Sequence, residues 1–530
     1  MTPRRLGLLL CLIAVASAAC RWLSLHIPFL KIPFLAFAAV PFKEAPLLNY
    51  RWTSWIFSND LLGNLSIGWL FLALLFVTGA WLIFRGKNAW QFSPLAVKQF
   101  RRFRSVRRGY ISFLLLAGLL GIACLDNLLV GKRALVVSYE GKWHFPFVHD
   151  VIPGTKFGLK YDAETNYREL KEVFRLEGKG NWVLMPPVPY DAKLDTPETK
   201  EVLEIREGKV FSVRTGKLFN GRAYTVFRGT LEQKRQEWVY RSGVRHGEMR
   251  GWDAQGEQVE KGRFEDGKRV QYTDYSEGKA PALEPEAGES LITVVYPPSP
   301  PSWMHSHFLG TNSQGGDVLA ILFGGGQQAA AASFLFLVAV FGIGVIVGGT
   351  LGYFGGWYDL MGQRLMEIWS SLPFLFVVVI VSSLINPTLV VLVGIIALFS
   401  WMGTTTYIRT AAFKEKARDY VSAARLVGAS TGRVIFKHIL PNSIAILVTL
   451  APFEIALVIN SLAALDFLGF GLPPEEPSWG RLLREGTENF VYPWIVSAAF
   501  FALVVVLLLV TFVGEAVREA FDPKKFTIYE

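Results

Sequence analysis

Cysteine is scarce in this chain: only Cys11, Cys20 and Cys124 occur among 530 residues. Each lies in or beside an apolar segment, so the long polar region at mid-chain cannot carry a disulfide framework. Histidine is nearly as rare, and His144, His149, His246, His305 and His307 stand without a cysteine or a helical His pair beside them, which argues against a metal site. A functional phosphate-binding loop is also missing. Gly262-Arg-Phe-Glu-Asp-Gly267-Lys268 has the spacing of one, but Arg269 stands where Ser or Thr must hold Mg²⁺ and no helix pattern follows, so a hairpin turn accounts for it. Acidic residues are absent from Arg85 to Arg108, which contains Lys87, Lys98, Arg101, Arg102, Arg104, Arg107 and Arg108.

What is abundant is apolar sequence, at 51% of residues. Stretches of about 18 or more apolar residues match a bilayer core about 30 Å thick. The clearest candidates are Leu65 to Phe84, Ile111 to Val130, Ala331 to Phe354, Pro373 to Ile385, Leu389 to Met402, Ser443 to Ile459 and Trp494 to Val513. The two flanking Asn386-Pro387 are short singly, but Leu372 to Trp401 accommodates two helices and a tight turn. With Leu6 to Cys20 added, about eight spans are predicted. Met1-Thr-Pro-Arg-Arg and the apolar run after it read as a signal anchor or a signal peptide, and Ser17-Ala18-Ala19-Cys20 resembles a lipoprotein processing site. The formal charge of +10 suggests nucleic acid at first sight. Much of it, however, sits in short connectors between spans, the signature of cytoplasmic loops, so no nucleic-acid partner is expected. No span carries the convergent Ser, Lys, His or Asp groups that an intramembrane enzyme needs, so no catalytic residue is predicted.

Composition divides the chain into four parts. Residues 1–108 form an N-terminal extension with two spans and the Arg-rich segment, and 109–131 the first core helix. Residues 132–307 are a polar insertion on the outer face, and 308–530 hold five further helices. Within the insertion, near 208–275, Phe219-Asn220-Gly221, Ser242-Gly243, Arg245-His246-Gly247, Ala254-Gln255-Gly256 and Glu265-Asp266-Gly267-Lys268 recur about every ten residues between alternating stretches. Such turns supply the positive φ of tight hairpins and predict a small β array, which resembles MORN-type repeats.

Between the fourth and fifth core helices, 403–441 forms a basic, helix-patterned loop with Arg409, Lys414, Lys416, Arg418, Arg425, Arg433 and Lys437. Ala423 and Ala424 keep one short helix slim, Gly428 ends it, and Pro441 is read as stopping the amphipathic turn that follows. This helix-turn-helix knob resembles the EAA loop of binding-protein-dependent ABC permeases, whose pattern is Glu-Ala-Ala, three residues, Gly, then nine residues to Ile-x-Leu-Pro. Ala423, Ala424, Gly428, Leu440 and Pro441 match, whereas Ser422 replaces the Glu and His438 the Ile. Arg418 and Arg425 are read as docking residues in place of the lost Glu.

The resemblance extends over Phe308 to Lys525 and narrows to the dipeptide and oligopeptide permease branch. Leu309-Gly-Thr-Asn312-Ser-Gln-Gly-Gly316-Asp317-Val318, Gly352-Tyr-Phe-Gly-Gly-Trp-Tyr-Asp359, Glu367-Ile-Trp-Ser-Ser-Leu-Pro373, and Leu465-Asp466 to Pro474 with Pro477-Ser478 carry it, with Asn312 and Gly316 as departures. Gly514-Glu-Ala-Val-Arg-Glu-Ala-Phe-Asp522-Pro523 and Ser138-Tyr-Glu-Gly-Lys-Trp-His-Phe-Pro146 are similar to the Yej-type subgroup, associated with oligopeptide and microcin C uptake. The resemblance implies an all-α polytopic type I ABC importer permease fold, a six-helix core with two extra N-terminal spans and an inserted periplasmic β module.

It also implies a multi-pass bacterial inner-membrane permease with both termini cytoplasmic, importing oligopeptides or peptide-like solutes by alternating access. The partners implied are a sister permease, two ABC ATPase subunits that hold ATP and Mg²⁺, and a periplasmic solute-binding protein, with no cofactor bound to this chain. Related branches carry nickel and other small solutes, and a membrane-anchored periplasmic binding or sensor protein is a further alternative. Glu454, the only carboxylate well inside the fifth core span, is read as lining the substrate path, with Pro452 kinking the helix near the same depth. The glycines of Phe341-Gly-Ile-Gly-Val-Ile-Val-Gly-Gly349 allow close helix approach.

Overall fold

The computed structural model describes residues 3–22, 94–123, 128–148, 151–193, 199–213, 216–227, 233–253, 255–274, 291–303, 305–384 and 387–521, with 76–78, 80, 125, 195 and 196 besides. The predicted span 65–84 lies outside them apart from 76–78 and 80, as do Cys124, Asn386 and the end from Asp522.

Helix α1 is Pro3–Trp22, α2 is Pro94–Ser105, and α3 is Arg107–Ala123. The stretches Val97–Ser105 and Arg107–Ala123 meet at 96°. In the polar region that follows α3, α4 is Tyr167–Glu177. Then follow α5 (Val318–Phe354), α6 (Gly356–Ser370), α7 (Phe374–Leu384), α8 (Leu389–Lys416), α9 (Asp419–Leu426), α10 (Leu440–Leu468), α11 (Trp479–Glu488) and α12 (Pro493–Phe521). Among the described residues four helices are long and apolar enough to cross a membrane, or up to six if each bent pair is one span. Those pairs are α2 with α3 and α6 with α7, the latter bent by 65°. With 11 residues, α7 rises only about 16 Å, too short to cross alone.

The helices are apolar on most sides, as expected when lipid rather than water surrounds them. Phe336, Val378, Leu392, Ile396, Val458 and Leu465 join α5, α7, α8 and α10 in one buried cluster. At one end of the bundle Val318, Leu482 and Ile495 bind α5 to α11 and α12. At the other, Phe103 of α2 packs on Ala516 and Ala520 of α12.

The polar region between α3 and α5 contains two sheets. Strands β1 (Val136–Tyr139), β2 (Lys142–His144) and β3 (Trp182–Leu184) pair in the order β2-β1-β3. Val137 of β1 and Val183 of β3 join Leu170 and Phe174 of α4 in one core, with Phe157 beside them. Strands β4 (Thr199–Arg206), β5 (Lys209–Ser212), β6 (Gly221–Val226), β7 (Lys234–Arg241), β8 (Val244–Trp252), β9 (Gln258–Glu265), β10 (Lys268–Asp274) and β11 (Ile292–Val295) form the larger sheet. Its order is β10-β9-β8-β7-β6-β11-β4-β5. Ser242-Gly243 and Asp266-Gly267 make two-residue hairpins with both residues at positive φ, as their turn chemistry requires. Arg245-His246-Gly247, expected to be a turn, lies inside β8. Its neighbours satisfy it by pairing, with Gly247 opposite Phe264 of β9. Trp238, Tyr240, Met249 and Phe264 form the buried face of this sheet.

Candidate functional site

The knob is built on the end of the bundle that also carries α2. Helix α8 continues past Met402 to Lys416, so Gly403 to Lys416 extend a span instead of leaving it. Arg418, in extended conformation, starts α9. Val421 turns inward onto Tyr353, Ala412, Val434, Ile435 and Ile439, while Ser422 and Ala423 face outward and Ala424 is half-buried. Gly428 has φ +82, a left-handed conformation that costs other L-residues about 1–2 kcal/mol. Its N–H donates to the Arg425 carbonyl at 2.9 Å and that of Ala429 to Ala424 at 3.0 Å. This paired arrangement closes a helix by satisfying its last carbonyls.

The second half of the knob differs from the expectation. Thr431–Arg433 runs into a π-helix, Val434–Ile439, and then directly into α10, with Pro441 in its first turn. Pro441 therefore does not stop the chain. Proline lacks an N–H and its ring crowds the carbonyl four residues back, and the wider π turn just before it supplies the room. Leu440 is half-buried on the same cluster as Val421.

The cations expected to reach outward are engaged within the chain. Arg418 pairs with Glu415 at 3.1 Å, and the Arg425 guanidinium lies 4.8 Å from the centre of the Tyr353 ring at the end of α5. Lys416 donates to the Phe354 carbonyl at 3.5 Å, and Tyr420 donates to Glu415 at 2.5 Å. The knob is thus strapped to α5 and α8. Its tip is apolar instead: Leu426 and Val427 are each 89% exposed, and Phe436 61%. Sequence reading passed over these three because single apolar residues in a basic loop carry no periodic signal.

Deeper in the bundle, α5 and α8 approach closely. A Cβ at Gly348 would lie 2.5 Å from the Thr405 carbonyl oxygen, and one at Gly352 2.5 Å from that of Arg409. Close backbone approach through small residues is how membrane helices pack without a hydrophobic drive. Gly342, quoted with the same motif, meets nothing within 4 Å. Below Gly352, Arg409 makes a forked pair with the buried Asp359 of α6, its Nη2 at 2.6 Å. Glu454 of α10 is half-buried. The Thr404 hydroxyl donates to its Oε1 at 3.5 Å, and its other oxygen has no partner among the described residues. Pro452, two residues earlier, is buried where Gly514 lets α12 approach.

At the opposite end the quoted motifs act as fold devices. Asp317 caps α5 by accepting from the Ala320 N–H at 2.7 Å, and its second oxygen meets His307 Nδ1 at 2.8 Å. Tyr190 stacks on His307 with centroids 4.1 Å apart, and Arg168 covers Tyr190 while pairing with Asp195. Burial pushes the Tyr190 hydroxyl well above its ordinary range, against the pull of Arg168. Asp466 accepts from Ser478 at 2.5 Å and from the Leu472 N–H at 2.6 Å, pinning the turn between α10 and α11. Between these devices opens a cleft of about 350 Å³, lined by Asp195, Asn312, Glu476, Arg481 and Glu485 among others. Burial lowers the Arg481 guanidinium from its usual range although Asp466 opposes it.

In sequence the chain is similar to known proteins. The family of binding-protein-dependent transport system inner membrane components matches residues 341–527. The chain is 29% identical over 449 residues to the peptidoglycan transport system permease protein YejE of Agrobacterium fabrum, covering 84% of this chain and 97% of that one. To the inner membrane ABC transporter permease protein YejE of Escherichia coli it is 29% identical over 435 residues, 82% of this chain and 99% of that one. Both alignments therefore take in much sequence outside 341–527. The oligopeptide transport system permease protein OppC of Lactococcus lactis is 32% identical over 227 residues, 42% of this chain and 77% of that one. The chain accordingly belongs to the binding-protein-dependent transport system inner membrane components, as a permease subunit of an ABC importer.

Proposed function

We propose that this subunit moves peptides or peptide-like solutes inward across the inner membrane, and that the knob from Arg418 to Ile439 is its contact with an ATPase subunit. The observation that carries the reading is an apolar tip, Leu426 and Val427, held out from a base packed on the ends of α5 and α8. An exposed apolar pair on an ordered support suits insertion into a groove of another protein. The peptide class is supported by the names of the YejE and OppC relatives. In this reading the knob end and both termini are cytoplasmic, and the sheets and the cleft face the periplasm. A sister permease completes the pathway, a solute-binding protein delivers the solute, and ATP and Mg²⁺ stay on two ATPase subunits. Closure of those subunits biases a two-state bundle through linkage between separated sites.

Arg425 and Tyr353 carry motion of the knob to α5, and Arg409 with Asp359 holds α6 to α8 beside them. Glu454, with one oxygen unengaged, lines the path beside Thr404 and meets a peptide's amino group; Pro452 bends α10 at that depth. The test is to express Gly428→Asp, Ala424→Arg and Val427→Asp with the whole transporter. Each is expected to insert normally yet to lose the ATPase subunits on purification and abolish uptake. Normal copurification with all three would refute the docking assignment.

A further inference from the structure

Helix α2 has no part in the pathway described above, yet its chemistry is specific. Lys98, Arg101, Arg102 and Arg104 lie in it and Arg107 and Arg108 begin α3, with no acidic residue from Arg85 to Arg108. It leaves α3 at 96°, so if α3 crosses the bilayer, α2 runs along its surface. At about 100° per residue, Phe103, Phe100 and Val97 fall on one arc, with Arg104 between the last two, and Arg101, Lys98 and Arg102 on the other. Phe103 is buried on Ala516 and Ala520, which fixes the helix to the end of α12. Its neighbours on the arc are left uncovered: Phe100 is 63% exposed and Val97 46%. Arg104 stands over the Tyr110 ring at 5.8 Å, its charge held at the bend.

We infer that α2 and the start of α3 form a binding site for anionic phospholipid. Phe100 and Val97 enter the boundary between headgroups and acyl chains, and Arg101, Arg107 and Arg108 meet the phosphates. An amphipathic helix with cations on one arc and large apolar groups on the other is the pattern that lies in a bilayer interface. A loop that only followed the charge bias of cytoplasmic connectors would need cations but no exposed phenylalanine. The bend adds geometry, because it sets the cations of both helices around one corner at headgroup level. The site rests on the proposed orientation, with this end in the cytoplasmic leaflet, but not on transport or on the ATPase contact.

The test uses the full chain reconstituted in vesicles containing spin-labelled phosphatidylglycerol or phosphatidylcholine, reading the motionally restricted lipid fraction. The wild type is expected to prefer the anionic lipid roughly tenfold at low salt, as one or two cations acting on each headgroup at about 1 kcal/mol apiece should, with the preference shrinking as salt screens it. The triple variant Arg101→Gln, Arg107→Gln, Arg108→Gln should bring the preference close to one. Removing as many cations from the outer sheet, with Arg250→Gln, Lys261→Gln and Arg263→Gln, should leave it unchanged. Equal preference in the wild type and the first triple variant, or an equal loss in the second, would overturn the site.

Discussion

Adding one methyl group to Gly348 tests the packing at the heart of the bundle. The new Cβ would lie 2.5 Å from the Thr405 carbonyl oxygen and 3.1 Å from the Ile408 Cβ. Carbon contacts settle near 3.5–4.0 Å, so α5 and α8 must separate by roughly 1 Å at this level. Neither neighbour is a flexible side-chain end that can swing away. Overpacking of this kind costs about 1–3 kcal/mol. Gly342, six residues earlier in the same helix, is the matched control: its Cβ meets nothing within 4 Å. There alanine removes the conformational freedom of glycine and is worth up to about 1 kcal/mol. The two substitutions should thus have opposite signs. Reversible unfolding of the purified permease in mixed micelles measures both. Gly348→Ala within about 0.5 kcal/mol of wild type, the range of an ordinary surface change, would refute the close-approach argument, as would an equal loss in Gly342→Ala.

Glu454→Gln keeps the shape beside Thr404 but removes the charge, and should reduce uptake of peptides with a free amino terminus more than of amino-blocked ones; unchanged uptake and preference would remove Glu454 from the path. In the polar insertion, burial alone would raise the Glu164 carboxyl, but the Arg133 hydrogen bond and charge, with Lys132, hold it below the usual range. A depressed folded-state value means stability present above the unfolded carboxylate range, near 4.5, and lost as pH falls through the folded value. Arg133→Gln should accordingly lower the unfolding temperature of the polar insertion at pH 7 and converge with wild type in strong acid; a constant offset at all pH values would contradict the pairing.

The long spans were legible because lipid imposes length and apolarity together, and α5, α10 and α12 lie where that places them, although α5 begins at Val318 rather than Ala331 and α10 runs on to Leu468. The end of α8 was not, because Thr404, Thr405 and Arg409 interrupt the apolar run while the backbone continues helically, satisfied by packing on α5. The hairpins of β7 to β10 were marked by turn residues, whereas β11 inserts between β6 and β4 from far along the chain, a pairing no local pattern encodes. In the knob, Gly428 was read rightly from its type and place. Pro441 misled because the helix accommodates it through a π turn rather than ending. Arg418 and Arg425 were picked out by charge alone, and their engagement by Glu415 and the Tyr353 ring has no local sequence signal.

Val295 and Thr199 stand opposite each other in the antiparallel pair of β11 and β4, so the chain enters and leaves the larger sheet at one doorway, about 5 Å wide between the Cα atoms. A cassette with its two ends side by side can be cut out and bridged by a short loop without tugging on what lies either side of it. The architecture thereby lets the sheet be gained, lost or exchanged while the transmembrane machinery below keeps its geometry.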